Sequence, residues 1–315
     1  MTASILTITL NPALDITTET ETLAPRKKLR CAAPRLDVGG GGVNVSRAIK
    51  EFGGDSLAFV VLGGTMGELY KRMLEQAGVA ACIWQGEGET RFSLTVMEKT
   101  SGEHYRFVLP GPMQPHNADD ALFDAILATV SPSCRYIVAS GSLPEGLRTD
   151  FYRRIAAFCR VNRLSFILDT HGAALKAALD GRPYLVKLNH LEARELIDGP
   201  RMEDKSAAQL GQALRERHAI DVVIITLGDK GAVVVSADEP VHIRPPRVKI
   251  DSTVGAGDSF VGALTYALNA GWPLDEACRY GVSAAASAVT TPATALCEKD
   301  QTDKIYSELS TRVLS

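Results

Sequence analysis

Residues 135–168 read RYIVASGSLPEGLRTDFYRRIAAFCRVNRLSFIL, and this stretch contains the pattern that decides the fold. A short apolar run, Arg135–Ala139, is followed by the helix-like stretch Thr149–Arg160 and then by a second apolar run, Leu164–Leu168. Near-continuous Val, Ile and Leu runs that alternate with helices are typical of parallel strands buried on both faces of a sheet. The stretch therefore predicts a strand–helix–strand unit of an α/β domain.

The same alternation continues along most of the chain. Further apolar runs that we interpret as strands are Ser4–Leu10, Leu57–Val61, Tyr184–Val186 and Val222–Thr226. Further stretches with helical spacing are Val43–Phe52, Gly67–Gln76, Asp119–Thr129, Ser206–Arg217, Gly257–Asn269, Leu274–Val289 and Asp300–Thr311. Ligands of such sheets bind beyond the carboxyl ends of the strands, because the crossovers are right-handed and leave a crevice there. We therefore predict a mostly parallel sheet with a ligand site at that edge.

Four strand-like stretches break this alternation, because no helix separates the partners. They are Thr17–Glu21, Arg30–Leu36, Phe92–Glu98 and His104–Val108. Ser101-Gly102, between the last two, is typical of a hairpin turn. We interpret these stretches as two pairs of antiparallel strands in a small separate sheet, a lid, inserted at about residues 15–37 and 90–109 into a single domain of residues 1–315.

The composition is that of a soluble globular protein. Of the 315 residues, 45% are hydrophobic and 23% are charged, and the net charge is −3. This charge argues against general nucleic-acid binding, which needs clustered Lys and Arg. The apolar run Ile5–Leu10 is too short for a signal sequence, and no run approaches the ~18 apolar residues that span a bilayer. Six scattered cysteines without a C-x-x-C pair favour reduced thiols in a cytoplasmic protein.

The most specific chemical signal is the turn Ser252-Thr253-Val254-Gly255-Ala256-Gly257-Asp258-Ser259, which precedes a helical run. Its two glycines allow main-chain N–H groups to point toward one spot, and the helix adds the positive end of its dipole. This combination binds anions, such as a phosphoryl group in transfer. Asp258 lies at the edge of that pocket, where it could accept a proton from an attacking hydroxyl. The alternative is a turn in which Asp258 only caps the helix.

A second glycine-rich segment is Gly39-Gly40-Gly41-Gly42-Val43-Asn44. Four glycines let the main chain approach a ligand closely, and the Asn44 amide offers both a donor and an acceptor for polyol hydroxyls. The alternative interpretation is a flexible connector. Neither glycine-rich segment fits G-x-G-x-x-G, and no G-x-x-x-x-G-K-[ST] occurs, which argues against dinucleotide binding and against a P-loop.

Cationic side chains accompany the predicted lid strands: Lys28, Arg30, Arg91 and Arg106. A sugar phosphate needs cationic partners, and the Arg guanidinium binds phosphate with two parallel hydrogen bonds. Charges on exposed strands also protect sheet edges from aggregation, so each residue alone has this second explanation.

Asn189 and Glu192 follow a predicted strand with the spacing of residues on one side of a helix. They could hold Mg²⁺ near ATP phosphates, directly or through water. The spacing Asn189-x-x-Glu192 fits a helix capping box equally well. Ser142 in Gly141-Ser142-Leu143-Pro144 follows another predicted strand and lies at the same expected edge.

These motifs occur in one order along the chain: Asn11-Pro12-x-x-Asp15, Gly39–Asn44, Gly141-Ser142-Leu143-Pro144, Lys187-x-Asn189-x-x-Glu192, Thr226-Leu227-Gly228 and Gly255–Asp258. In this order the sequence resembles the ribokinase-like (PfkB) family of sugar kinases over essentially its whole length. The resemblance implies a three-layer α/β/α domain with a small β-sheet lid. It implies ATP and Mg²⁺ as cofactors, and a homodimer that forms through the lids.

Within the family, the pattern is most similar to kinases that phosphorylate fructose 6-phosphate at the C1 hydroxyl. Kinases of fructose 1-phosphate or tagatose 6-phosphate share much of it, so these acceptors stay open, as does an unphosphorylated sugar. A non-catalytic sugar-phosphate sensor on the same fold is the alternative of another class. Retention of Asp258 with its glycines argues against a sensor.

The resemblance also implies a role for individual residues. Asp258 would be the catalytic base, and the amides of Gly255, Ala256 and Gly257 would form the anion hole. The sugar and its phosphate would be bound by Asp15, Lys28, Gly39, Gly40, Gly41, Gly42, Asn44, Arg91, Ser142 and, more weakly, Arg106. ATP would lie along Lys187, Asn189, Thr226, Gly228 and Gly231, with Glu192 near the magnesium.

The chain departs from the family pattern in two places. Leu188 stands where the family has Pro between Lys and Asn, and Leu191 replaces a second lysine of close relatives, which weakens the expected phosphate contacts. Some members bind potassium near the positions of Ser252 and Val254. Relatives have Asn, Gly and Arg where this chain has Thr291, Ala293 and Ala295, so the resemblance argues against potassium activation here.

Overall fold

The computed structural model describes residues 3–115, 117–197, 205–292 and 294–314. Within them the strands are β1 (Ile5–Thr9), β2 (Ala13–Thr20), β3 (Arg35–Gly39), β4 (Leu57–Leu62), β5 (Ala81–Gln85), β6 (Arg91–Glu98), β7 (His104–Val108), β8 (Tyr136–Ser140), β9 (Ser165–Asp169), β10 (Leu185–Asn189), β11 (Val222–Thr226), β12 (Ala232–Val235), β13 (Val241–Arg244) and β14 (Ser310–Val313). Ten of them form one sheet in the order β14-β13-β12-β11-β10-β9-β8-β1-β4-β5. From β11 to β5 all neighbours are parallel, and β12, β13 and β14 add antiparallel pairs.

Helices cover both faces of this sheet. They are α1 (Gly41–Glu51), α2 (Gly64–Gln76), α3 (Ala118–Ala128), α4 (Phe151–Val161), α5 (Gly172–Leu179), α6 (His190–Glu195), α7 (Ala207–His218), α8 (Ala256–Asn269), α9 (Leu274–Ala288) and α10 (Lys299–Glu308). Strand β4 shows why two layers form: Phe59 and Val61 belong to the core with α3, α4 and α7, whereas Ala58 and Val60 face α1 and α2. Successive side chains of a strand point to opposite faces, so a continuous apolar run is buried on both.

The second sheet is small, with the order β3-β2-β6-β7. β2 pairs antiparallel with β3 and parallel with β6, and β6 pairs antiparallel with β7. Its base packs on the main body through Leu14 and Val38, which join a core with Tyr70 and Leu74 of α2. The prediction of a three-layer α/β/α domain with a mostly parallel central sheet and a separate small sheet is therefore confirmed.

Several predicted elements differ from the structure. The strand predicted at Arg30–Leu36 begins only at Arg35, because residues 35–39 pair with 13–17 and leave 21–34 as a loop. The last predicted helix ends at Glu308, and residues 310–313 pair with β13 at the sheet edge. The hairpin of β12 and β13, strand β5 and helix α5 had no counterpart in the sequence interpretation. Among the described helices, none combines the length and apolarity that crossing a bilayer requires.

Candidate active site

The candidate site lies at the carboxyl edge of the central sheet, where the strand order reverses. β4 and β5 lie on one side of β1, and β8 to β11 lie on the other side, so the chain builds the sheet outward from β1 in both directions. Open α/β sheets bind ligands at such a point, because the diverging loops leave a crevice. Polar residues end four consecutive parallel strands at this edge: Ser140, Asp169, Asn189 and Thr226.

Asp258 lies in the first turn of α8 and faces this edge. Its Oδ1 accepts a hydrogen bond from Ser140 Oγ at 3.0 Å, and its Oδ2 accepts one from Asn44 Nδ2 at 2.9 Å. Burial, followed by the nearby Asp169 carboxylate, raises the pKa of Asp258 from 3.8 to about 6, against the opposing effects of Asn44, Lys187 and Ser140. A carboxylate with this pKa is ionised at neutral pH and is still basic enough to accept a proton.

The turn before α8 places this helix end without using Asp258 as its cap. Gly255 occupies the N-cap position with φ 78°, so the alternative in which Asp258 only caps the helix is wrong. A Cβ at Gly255 would lie 2.6 Å from Leu296 Cδ2, and the positive φ also favours glycine. The first N–H groups of α8 have no partner within the helix, and they carry the positive end of its dipole.

A buried ion pair lies beside this helix end. Lys187 Nζ donates to Asp169 Oδ2 at 2.7 Å, and Lys187 is 8% exposed. Burial alone lowers the pKa of Lys187, but the carboxylates of Asp169, Asp258 and Glu192 together more than offset this, and the pKa lies above its ordinary value. A Cβ on Gly257 would lie 3.1 Å from Lys187 Nζ, so the glycine lets the ammonium group approach α8 closely.

A cleft of about 220 Å³ opens next to these groups. It is lined by Gly41, Ser140, Gly141, Asp169, Thr170, His171, Glu192 and Asp258. The cleft thus brings together side chains or main chain from α1, β8, β9, α6 and α8. Three carboxylates border it, and a cationic ammonium group lies directly behind one of them.

The Gly39–Gly42 segment is a packing site rather than a flexible connector. Gly41 and Gly42 belong to α1, and Gly40 has a φ of 115°. A Cβ at Gly41 would lie 2.1 Å from Ser140 Oγ, and one at Gly42 would lie 2.4 Å from the Ile8 carbonyl oxygen. Only glycines therefore let the start of α1 rest on the ends of β1 and β8, which brings Asn44 to Asp258.

One face of the small sheet carries polar residues toward the same region. Asp15 is opposite Asp37 and Ser93, and a Cβ at Gly39 would lie 2.0 Å from Asp15 Oδ2. Burial raises the pKa of Asp15, and the guanidinium groups of Arg106 and Arg91 oppose that rise. Both cations therefore lie near the Asp15 carboxylate, although Arg106 itself is exposed.

Arg91 and Ser142 both contact Asn11, in the loop after β1. Arg91 donates to the Asn11 carbonyl oxygen at 3.1 Å and to the Leu109 carbonyl oxygen at 3.2 Å. Asn11 Nδ2 donates to Ser142 Oγ at 3.0 Å. Lys28 and Arg30 lie instead on the exposed loop 21–34, so the phosphate-binding role of Lys28 stays a prediction.

Asn189 and Glu192 form the predicted capping box at the start of α6. The Asn189 side chain accepts from Glu192 N–H at 2.9 Å, and Asn189 N–H donates to Glu192 Oε2 at 2.8 Å. The capping alternative is confirmed. The Glu192 carboxylate also borders the cleft, and its magnesium role stays a prediction.

The remaining predicted nucleotide residues follow the end of β11. Thr226 is the last residue of that strand, and Gly228 and Gly231 bound a 3₁₀ turn with φ of 63° and 86°. A Cβ at Gly231 would lie 2.0 Å from the Ile243 carbonyl oxygen, so this glycine is needed for the turn to pack. Their contact with ATP stays a prediction.

The potassium prediction concerns the segment before α8. Ser252 is buried, and its Oγ accepts a hydrogen bond from Val254 N–H at 3.2 Å. Thr291 donates to the Ala295 carbonyl oxygen at 3.0 Å. Ala293, which enters the same argument, lies outside the described residues. The expectation that potassium does not activate this protein stays a prediction.

The sequence interpretation missed several polar residues of this site, among them Ser140, Asp169 and Arg47. Ser140 and Asp169 contact Asp258 and Lys187, yet each follows directly after a run that was interpreted as ending at Ala139 or Leu168. Their place at the carboxyl ends of parallel strands was the available signal. Arg47, which contacts Asn44, carried no signal beyond its spacing of three residues on a helix.

Comparisons with known proteins place this geometry in a family. The model of the pfkB family carbohydrate kinases matches residues 8–301. ATP-dependent 6-phosphofructokinase isozyme 2 of Mycobacterium tuberculosis is 37% identical over 302 residues, which are 96% of this chain and 88% of that protein. The protein of the same name from Escherichia coli is 37% identical over 307 residues, 97% of this chain and 99% of its own.

Other relatives are more distant, and solved structures agree. A 1-phosphofructokinase of Vibrio cholerae is 29% identical and covers 100% of this chain and 98% of that protein. The E. coli phosphofructokinase-2 structure in complex with potassium has a TM-score of 0.88 at 35% identity and covers 98% of this chain and 99% of that one. A tetrameric inhibited form of the E. coli protein scores 0.87, again at 35% identity, and covers 98% and 99% of the two chains. The predicted resemblance is confirmed, and this chain belongs to the pfkB family of carbohydrate kinases.

Proposed function

We propose that this protein transfers the γ-phosphoryl group of ATP to the C1 hydroxyl of fructose 6-phosphate, giving fructose 1,6-bisphosphate and ADP. The observation that carries the proposal is Asp258, a carboxylate with a pKa of about 6 at the first turn of α8 and at the border of the cleft. The relatives with 6-phosphofructokinase names support this acceptor over fructose 1-phosphate, because their 37% identity exceeds the 29–32% of relatives named 1-phosphofructokinase.

Asp258 acts as the general base. Its ionised carboxylate accepts the proton of the C1 hydroxyl as that oxygen forms its bond to the γ-phosphorus. The bond from that phosphorus to the bridging oxygen breaks, and ADP leaves with this oxygen. The N–H groups of Gly255, Ala256 and Gly257 at the start of α8, with the helix dipole, stabilise the negative charge of the group in transfer. Positioning and electrostatics supply most of the acceleration in such reactions.

The sugar phosphate binds between the polar face of the small sheet and the start of α1. Asp15 and Asn44 bind hydroxyl groups, beside the main chain of Gly39–Gly42. Arg91 with Ser142 and Lys28 binds the 6-phosphate, and Arg106 adds positive charge near Asp15. In this proposal residues 1–315 act as one kinase domain, and the small sheet is a lid whose closure excludes water.

ATP binds along the ends of β10 and β11, with Lys187, Asn189, Thr226, Gly228 and Gly231 lining its path. The described residues contain no cluster of three or more His, Cys, Asp or Glu side chains that could hold a metal on its own. Mg²⁺ keeps several of its waters and binds through one or two carboxylates plus phosphates, which fits the acidic lining of the cleft. Glu192 would hold it through water, and the ion would neutralise phosphate charge.

We also propose that the protein forms a homodimer through the small sheet. Leu36, Tyr105 and Phe107 are 40%, 41% and 50% exposed, and cross-strand pairing places them on one face with Ile16 and Leu94. An exposed apolar face of this kind marks an interaction surface. Phe107→Asp should shift the mass in light scattering toward the monomer, while Val161→Asp, an exposed apolar residue of α4, should leave it unchanged. If Phe107→Asp has the same mass as the wild type, this interface is contradicted. The same holds if the wild type is a tetramer and Phe107→Asp remains one.

The test of the reaction is Asp258→Asn. Its kcat for fructose 6-phosphate should fall by roughly 10²–10⁴, with binding of both substrates largely kept. ADP release should be measured with a panel of hexose phosphates and free sugars, with and without potassium. A fully active Asp258→Asn enzyme removes the base, and a preference for fructose 1-phosphate or tagatose 6-phosphate changes the acceptor. Ligand binding without ADP release supports the non-catalytic sensor.

A further inference from the structure

Arg47 lies on α1, one turn after Asn44, and contacts that residue from the side away from Asp258. Its Nη1 donates to Asn44 Oδ1 at 3.1 Å and to the Val38 carbonyl oxygen at 3.0 Å. Val38 belongs to β3 of the small sheet, which leads into the glycine segment. The guanidinium therefore links the Asn44 side chain to the base of the small sheet.

These contacts determine the orientation of the Asn44 amide. An amide offers one acceptor oxygen and two N–H donors, an ionised carboxylate only accepts, and a guanidinium only donates. Asn44 has one such neighbour on each side, so a single orientation satisfies both. In that orientation Oδ1 meets Arg47 and Nδ2 donates to Asp258 Oδ2. One N–H of Nδ2 then remains for another acceptor.

We propose that Arg47 is a positioning residue of the phosphoryl transfer: it locks the Asn44 amide so that only N–H donors face Asp258 and the sugar hydroxyl. This inference rests on the proposed function, in which Asp258 is the base. Without a donor at position 47, the Asn44 amide is free to turn and to present its oxygen to the carboxylate. The ionised base would then lose a hydrogen bond and gain a repulsive contact.

The consequence is measurable because the Asn44 donor helps to hold the proton affinity of Asp258 down. The other groups that act on Asp258 are Asp169 of β9, Lys187 of β10 and the Ser140 hydroxyl of β8. Glu192 of α6 and His171, the residue before α5, line the same cleft. None of these groups acts on Asp258 through Arg47. The Arg47 charge also lowers the pKa of Asp15, so comparison with the double variant is what assigns a shift to the Asn44 amide.

The experiment compares pH profiles of kcat for the wild type, Arg47→Met, Arg47→Lys, Asn44→Ala and the double variant Arg47→Met/Asn44→Ala. In Arg47→Met we expect the acid limb to move up by about one pH unit, a tenfold change in the proton affinity of Asp258. Arg47→Lys keeps a donor and should stay near the wild type. The double variant should shift no further than Asn44→Ala alone, since Arg47 acts through Asn44.

Two results overturn the proposal: an acid limb of Arg47→Met at the wild-type pH, or shifts that add in the double variant. Additive shifts would mean that the Arg47 charge acts on the base without Asn44. If Arg47→Met does not fold, Arg47→Gln takes its place. The glutamine is neutral but keeps an N–H donor, so the acid limb of its kcat profile must stay at the wild-type pH. Asp258→Asn distinguishes failure of the proposed function from failure of this inference. If Asp258→Asn is fully active, Asp258 is not the base. If Asp258→Asn is inactive and the pH profile of Arg47→Met is unshifted, only the role of Arg47 is overturned.

Discussion

Asp258→Asn should stabilise the fold even though it removes the base. The pKa of Asp258 is about 6 in the folded protein against an ordinary value of 3.8. A carboxyl whose folded pKa is raised favours folding below pH 3.8, and this contribution is lost as the pH rises through 6. About two pH units between the pKa values, at ~1.36 kcal/mol each, correspond to ~3 kcal/mol. Water in the open cleft screens part of this cost, so we expect a gain of ~2 kcal/mol at pH 8 from the neutral amide.

The geometry at position 258 supports a neutral replacement. An asparagine oxygen can accept from Asn44, and its N–H can donate to the Ser140 hydroxyl, so both present neighbours keep a partner. The assay is urea denaturation at pH 8 and pH 4.5 without substrates. In thermal unfolding at pH 8, at about 2 °C per kcal/mol, Tm should rise by about 4 °C. Asp229→Asn, an exposed residue of the 3₁₀ turn, is the control. No gain at pH 8, or the same gain at both pH values, refutes the reasoning.

Two further predictions concern the two substrate sides. Gly39→Ala places a Cβ 2.0 Å from Asp15 Oδ2, so the carboxylate must move. In steady-state kinetics, KM for the sugar phosphate should rise by about tenfold, because one hydrogen bond to a charged group is lost, and KM for ATP should stay unchanged. Equal changes in both KM values contradict a role of Asp15 confined to the sugar. Glu192→Gln can still accept from Asn189 N–H, so it should keep wild-type stability but need a higher Mg²⁺ concentration for half-maximal kcat. Glu192→Ala should in addition lose about 1 kcal/mol of unfolding free energy in urea, because the capping box is broken. An unaltered Mg²⁺ titration in Glu192→Gln removes Glu192 from the metal site.

Local patterns predicted much of the fold but not its edges. Buried parallel strands have continuous apolar runs, so β4, β8 and β11 could be located to within about a residue from sequence. The start of β3 and the strand β14 could not. Arg35 to Gly39 become a strand because they pair with β2, and Ser310 to Val313 because they pair with β13, about 70 residues away in the chain. Pairing with a distant partner decides such short polar strands, and propensity alone does not.

The chemistry divides in the same way. The turn with Gly255 and Asp258 could be interpreted from sequence by itself, because a glycine that permits the turn and the helix that follows it are local properties of the chain. The pKa of Asp258 and its two hydrogen bonds depend on tertiary structure, since Ser140 and Asn44 lie 118 and 214 residues away. Burial and a neighbouring charge set a pKa, and both exist only once the strands and helices have packed.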